Sequence, residues 1–320
     1  MRLLPIVLVA LLIVPATAQA RTVVGIAENS PDVFASPLFP RLGAEHARIV
    51  VPYNVMTARD HTLPTLTSWL NGARAAGVEP MVTFEHPTGN ATICNKRRNH
   101  RRAVCRLPTA GQYRSALRRF FAAFPFVKTI VPWNEINHFT QPTSRNPRAA
   151  ARFSNIASQL CRGCRVVVAD LLDQADDPRA RRPTFRETLA YIARFKRALR
   201  VPRRICGIHN YSDVNRFRDA GTRAIRRAMG CRQTWLTETG GLFKFGSFWS
   251  ARTRKGCRTA AACQLKATKY MFRLARRNRI RRLYVYSYFG RVTPRFDAGL
   301  VDSRTGRARP AFAEVRRHVR

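Results

Sequence analysis

The chain has 320 residues, 58 Lys and Arg against 18 Asp and Glu, and a formal net charge of +40. With 45% hydrophobic and 10% aromatic residues it is too apolar to stay disordered, despite that charge. Gly and Pro, at 17 and 19, are too few for a collagen-like or low-complexity chain, and the length suits one large domain or two smaller ones.

The first twenty residues read as a secretory signal. Arg2 precedes an apolar run over 3–14, and Ala18 and Ala20 form a small-x-small end. The run is short of the roughly 20 apolar residues that span a bilayer. Cleavage near Ala20 would leave 21–320 as an exported mature domain. Cys94, Cys105, Cys161, Cys164, Cys206, Cys231, Cys257 and Cys263 then sit in an oxidising setting. Four disulfides between sequence neighbours are the economical arrangement, although eight cysteines allow 105 pairings. Cys161-Arg162-Gly163-Cys164 has the CxxC spacing of a redox or zinc motif, but no second CxxC or spaced His pair accompanies it.

Along the mature chain, short β-branched runs recur at 23–27, 47–51, 81–84, 129–133, 165–169, 205–209, 234–237 and 283–288. Helical periodicity fills 63–76, 112–124, 186–199 and 260–277, with Gly77 and Gly230 placed as helix stops. Eight apolar strands separated by helices predict a single α/β domain, a (β/α)8 barrel. The rival is an open doubly wound sheet. It would carry a Gly-rich turn after the first strand, and 23–28 has none.

Acidic residues are scarce, and several end the predicted strands, where barrel active sites are built. Glu28, Glu85, Glu135 and Glu238 follow strands one, three, four and seven; Asp170, Asp173 and Asp213 follow strands five and six. The three Asp suit helix N-caps, a role for which Glu is poor. Glu135 and Glu238 project from strands nearly opposite across the mouth. From there their carboxyl groups can approach to about 5–5.5 Å, the separation used in retaining glycoside hydrolysis. One carboxyl must donate a proton to the leaving oxygen while the other attacks the anomeric carbon.

Trp133-Asn134-Glu135 and Thr237-Glu238-Thr239-Gly240 resemble the corresponding motifs of the clan A retaining glycoside hydrolases, which include cellulase-like and xylosidase-like families. The resemblance implies Glu135 as acid/base, Glu238 as nucleophile and Asn134 as a hydrogen-bond partner of the sugar 2-hydroxyl. It also implies that Arg48 helps hold the nucleophile ionised, and that His209 and Tyr211 belong to the site. Tyr286-Ser287-Tyr288-Phe289 stands where the clan usually offers a Trp. The resemblance runs from about Val23 to Arg317 and fixes no one family.

Pyranose rings pack their C–H faces on aromatic rings. Trp133, Trp249 and Tyr288 are therefore candidate platforms, and His86 a candidate hydrogen-bond donor. No HExxH or close His pair is present, so neither a metal nor another cofactor is expected. The basic run 96–102 could meet an anionic glycan or a cell-wall surface. However, Arg is spread along the whole chain, which reads better as compositional bias. The expected protein is a secreted monomer acting on a polysaccharide or oligosaccharide, with β linkages. Two alternatives are a non-catalytic carbohydrate- or wall-binding barrel and a basic exported nucleic-acid binder. The latter lacks any nucleic-acid motif.

Overall fold

The computed structural model describes residues 21–87, 94, 96–177, 180–246, 256–291 and 296–319. The predicted signal segment 1–20 lies outside them. Eight strands close into a barrel in chain order. They are β1 Val23–Ala27, β2 His46–Pro52, β3 Glu79–Glu85, β4 Thr129–Val131, β5 Arg165–Leu172, β6 Ile205–His209, β7 Gln233–Thr239 and β8 Arg282–Tyr286. All neighbours, including β1 and β8, pair in parallel, so there is no free edge and the open-sheet rival is excluded.

Nine helices among the described residues accompany the strands: α1 Phe39–Leu42, α2 Thr62–Ala75, α3 Ala110–Ala123, α4 Pro147–Leu160, α5 Arg186–Ala198, α6 Tyr211–Asn215, α7 Ala220–Met229, α8 Ala260–Arg277 and α9 Pro310–Val319. Their starts follow capping chemistry. Thr109 and Gln112 form a reciprocal capping box on α3, and Asn146 caps α4 just ahead of Pro147. Gly230 ends α7 in the left-handed conformation at φ 59°, where a side chain would be strained. None of the described helices is long and apolar enough to cross a membrane.

The interior is layered. At the N-terminal end Glu79 accepts from Thr129 at 2.9 Å and meets Arg282 at 3.3 Å, with Arg165 also on its carboxylate. Above this lies an apolar layer drawn from seven strands: Ala27, Met81, Val131, Val167, Ile205, Trp235 and Tyr284. The next layer, at the C-terminal end, is polar. This stacking follows from strand alternation, because every second residue faces inward.

Alternation alone would send two acids the wrong way. Val167 and Trp235 face inward, so Asp170 and Glu238, three residues on, would face the helices in a regular strand. Against β6, β5 advances from Val167 to Asp170 while β6 advances only from Ile205 to Gly207. Likewise β7 runs from Trp235 to Glu238 while β6 runs from Gly207 to His209. Each is a one-residue bulge, which re-aims the side chain that follows.

The four neighbour disulfides form, with Cα–Cα distances of 5.2 Å for Cys94–Cys105, 5.3 Å for Cys161–Cys164, 6.0 Å for Cys206–Cys231 and 5.2 Å for Cys257–Cys263. No cysteine remains free.

Candidate active site at the barrel mouth

Arg48 on β2 organises the polar layer. Its guanidinium is fully buried, so it must be paired to be tolerated. Nε donates to Thr83 at 3.0 Å, Nη1 to Glu238 Oε2 at 2.6 Å, and Nη2 to Asn134 Oδ1 at 2.8 Å and Asp170 Oδ2 at 3.4 Å. The second oxygen of Glu238 accepts from the Tyr211 hydroxyl at 2.8 Å. Burial, followed by the Glu238 charge, pushes the Tyr211 phenol well up, so it stays a donor.

His209, at the end of β6, sits between three carboxylates. Its Nε2 lies 3.0 Å from Asp170, and its Nδ1 lies 2.9 Å from Glu135 and 3.9 Å from Glu238. Burial disfavours its charge, but Asp170 and Glu238, together with the hydrogen bonds to Asp170 and Glu135, overcome this. They push the imidazole up to about 10. Burial likewise opposes ionisation of Glu135, yet the His209 hydrogen bond and the charges of His138 and His209 hold it below the usual glutamate value. Asp170 is held low in the same way by His209 and Arg48, against burial. The two distances to Nδ1 keep the nearer Glu135 and Glu238 oxygens within about 7 Å of each other.

Glu135 itself sits at φ 41°, a left-handed conformation that costs a non-glycine residue about 1 kcal/mol or more. It is pinned on both sides. The Asn134 amide donates to Phe84 at 2.7 Å, and the Ile136 amide to Asp170 at 2.9 Å.

A cleft of about 560 Å³ opens over the pair, lined by both Glu135 and Glu238, by Tyr211, and by the rings of Phe139, Phe245 and Phe296. The structure brings Arg48, Asn134, Glu135, His209, Tyr211 and Glu238 together at the barrel mouth.

The aromatic platforms fall out differently. Trp133 is buried, stacked on Tyr53 and Phe153, with its indole donating to Gln141 at 3.0 Å. Pro132 has no N–H for the ladder, β4 ends at Val131, and the ring turns to the helix layer. Tyr288 is also buried, its hydroxyl 2.7 Å from Ser36. Tyr286, the last residue of β8, keeps partial exposure at the mouth. Trp249 lies outside the described residues. His86 bonds the Pro87 carbonyl at 2.8 Å and does not line the cleft.

Asp173 and Asp213 do serve as caps. The first accepts from the amides of Ser212 and Asp213 at the start of α6, and the second from those of Gly221 and Thr222 at the start of α7. Asp170 does not cap anything. It belongs to the polar layer, and only the bulge puts it there. Glu85, a strand-end acid to which the sequence assigns no role, accepts from Asn134 Nδ2 at 3.3 Å. Among the described residues no group of three or more His, Cys, Asp and Glu could hold a metal ion.

No protein-family model matches the sequence, and no curated protein does. Solved structures do match in shape. GH5_18 from Streptomyces cattleya, in complex with GlcNAc, superposes with a TM-score of 0.63 at 16% identity, covering 94% of this chain and 80% of that one. An endo-beta-1,4-glucanase from Xanthomonas axonopodis pv. citri gives 0.58 at 13% identity, over 93% and 99%. A glycoside hydrolase family 30 subfamily 8 xylanase from Clostridium acetobutylicum gives 0.58 at 13%, over 95% and 73%. The fold is the one these glycoside hydrolases share. At such identities the likeness speaks for the fold alone.

Proposed function

We infer that the protein is an exported O-glycosyl hydrolase that cleaves a β-linked polysaccharide or oligosaccharide with retention, using Glu238 as nucleophile and Glu135 as acid/base. One observation carries this reading. Glu135 and Glu238 converge on a single nitrogen of His209 beneath an aromatic-lined cleft, at the end of the barrel where such sites are built.

Arg48 and Tyr211 each hold one oxygen of Glu238, fixing the carboxylate for attack. A Glu238 oxygen bonds the anomeric carbon as the bond to the leaving oxygen breaks, and that oxygen takes a proton from Glu135. Water then attacks the glycosyl ester, giving its proton to Glu135, and Glu238 leaves as carboxylate.

Before substrate binds, His209 holds the proton and Glu135 is ionised. Sugar entering the cleft expels water, which raises the cost of two separate charges. The proton then passes over the 2.9 Å contact from His209 Nδ1 to Glu135, while Asp170 keeps the Nε2 proton. The rings of Phe139, Phe245 and Phe296 offer apolar faces to pyranose C–H groups. Four disulfides favour an oxidising compartment, consistent with export after removal of residues 1–20.

The test is release of reducing ends from a panel of β-linked glycans. Wild type should cleave at least one. Glu238→Ala should abolish that cleavage and Glu135→Ala should nearly do so. Full activity in both variants refutes the assignment.

A further inference from the structure

Among the described residues, the cleft wall carries a guanidinium that no carboxylate meets in an ion pair. Arg216, just after α6, lines the same cleft as Glu135 and Glu238. Its Nη1 donates to the Ser212 hydroxyl at 3.1 Å, and among the described residues no carboxylate pairs with it within 4.0 Å. The chain's other acids on this wall are committed elsewhere. Asp173 accepts two amides of α6. Asp176 accepts from Thr184 and from the amides that start α5, with Arg186 at 3.7 Å.

A second guanidinium crowds the first. Arg218 donates to the same Ser212 hydroxyl at 2.9 Å, but it turns to Asp213 at 3.6 Å for charge. Arg216 is half-buried; it donates to a neutral acceptor beside a like charge, while Asp173 and Asp213 act on it from beyond ion-pair distance. Burial first, then the Arg218 charge, disfavours its cationic form, and the charges of Asp173 and Asp213 offset this only in part. A guanidinium so placed gains most from an incoming anion, which it can bind through two parallel N–H groups.

Across the mouth, the loop between β3 and α3 adds exposed Lys96, Arg97, Arg98, Arg101 and Arg102, and Arg145 joins it through a 3.1 Å contact with His100. No acid occurs between Glu85 and Glu135 in the sequence.

We propose that Arg216 is an anion subsite of the cleft, and that the substrate is a glycan carrying a carboxylate, sulfate or phosphate on a sugar ring. This rests on the hydrolase reading for the word substrate, but not for the binding itself.

The experiment therefore reads binding. Glucuronate, glucose 6-sulfate, glucose 6-phosphate and glucose are each titrated calorimetrically into wild type, Arg216→Met, Arg216→Gln, Arg216→Lys and Arg194→Met. Arg194 is an exposed residue on α5, away from the mouth. At least one charged sugar should bind about 10-fold tighter than glucose, as one charge-assisted contact gives. Arg216→Met and Arg216→Gln should erase that gain, Arg216→Lys should keep part of it, and Arg194→Met should leave it intact. The sugar with the largest gain identifies the anionic group. The proposal falls if charged sugars bind no better than glucose, if the gain survives in both neutral variants, or if Arg194→Met loses it equally. The reducing-end assay on wild type separates the two readings: an Arg216-dependent gain without any glycan hydrolysis would refute the hydrolase and keep the subsite.

Discussion

His209 Nε2 lies 3.0 Å from Asp170 Oδ2, with both side chains fully buried, and this contact sets the charge of the candidate site. A buried imidazole would otherwise be neutral. With Asp170 beside it, His209 holds a proton 2.9 Å from Glu135.

Asp170→Asn should therefore do more than loosen a hydrogen bond. Loss of the anion lowers the His209 pKa, so the His209–Glu135 pair loses its proton at lower pH. The basic limb of the pH–rate profile should move down, and kcat should fall about 10²-fold, the scale of a general-acid contribution. An unchanged profile at wild-type rate would show that Asp170 only supports packing.

Stability should depend on pH through the same residue. His209 is pushed up to about 10 in the folded protein, against 6.5 as its ordinary value. The native state then binds the proton more tightly than the unfolded chain. Its contribution is complete below pH 6.5 and fades as pH rises toward 10. Glu135 and Asp170 act in the opposite sense. They are held below 4.5 and 3.8, so their contributions are present above those values and are lost on acidification. Melting temperatures from acid to alkaline pH should fall at both ends in wild type, and His209→Gln should flatten the alkaline side.

Gly207 on β6 is fixed by close approach, not by its backbone angles. A Cβ there would collide with Asp170 Oδ1 and Thr237 Oγ1, and those two side chains already bond each other. Gly207→Ala should destabilise by about 1–3 kcal/mol or more, as overpacking does. It should also lower activity by displacing Asp170 from His209. Urea unfolding and the pH–rate profile measure the two effects.

Glu135 pays for its place with backbone strain at φ 41°. Glu135→Gly should accordingly be more stable than Glu135→Ala by about 1 kcal/mol, the reverse of the usual order. Both variants should be nearly inactive. A more stable Ala variant by denaturant midpoint would contradict the strain.

The barrel was legible because its strands are short apolar runs and its helices carry clear periodicity and stops, such as Gly77 and Gly230. Helix α4 was not singled out, since its buried face is built largely from Ala149, Ala150, Ala151 and Ala157, which give little periodic contrast. In the site, the motif residues Arg48, Asn134, Glu135, His209, Tyr211 and Glu238 were legible. Asp170 was not, because a one-residue bulge decides which way it faces and no local pattern marks that bulge. Trp133 is no platform, because β4 ends at Val131 ahead of Pro132 and the ring is buried. Tyr288 is buried because β8 ends two residues sooner, at Tyr286.

The central claim is double displacement by Glu135 and Glu238. The most direct measurement is the anomeric configuration of the first product, followed by ¹H NMR on whichever glycan the wild type cleaves. Retention should be seen, with the β signal of the newly formed reducing end appearing before mutarotation supplies the α form. Prompt appearance of the α form, meaning inversion, would contradict the account.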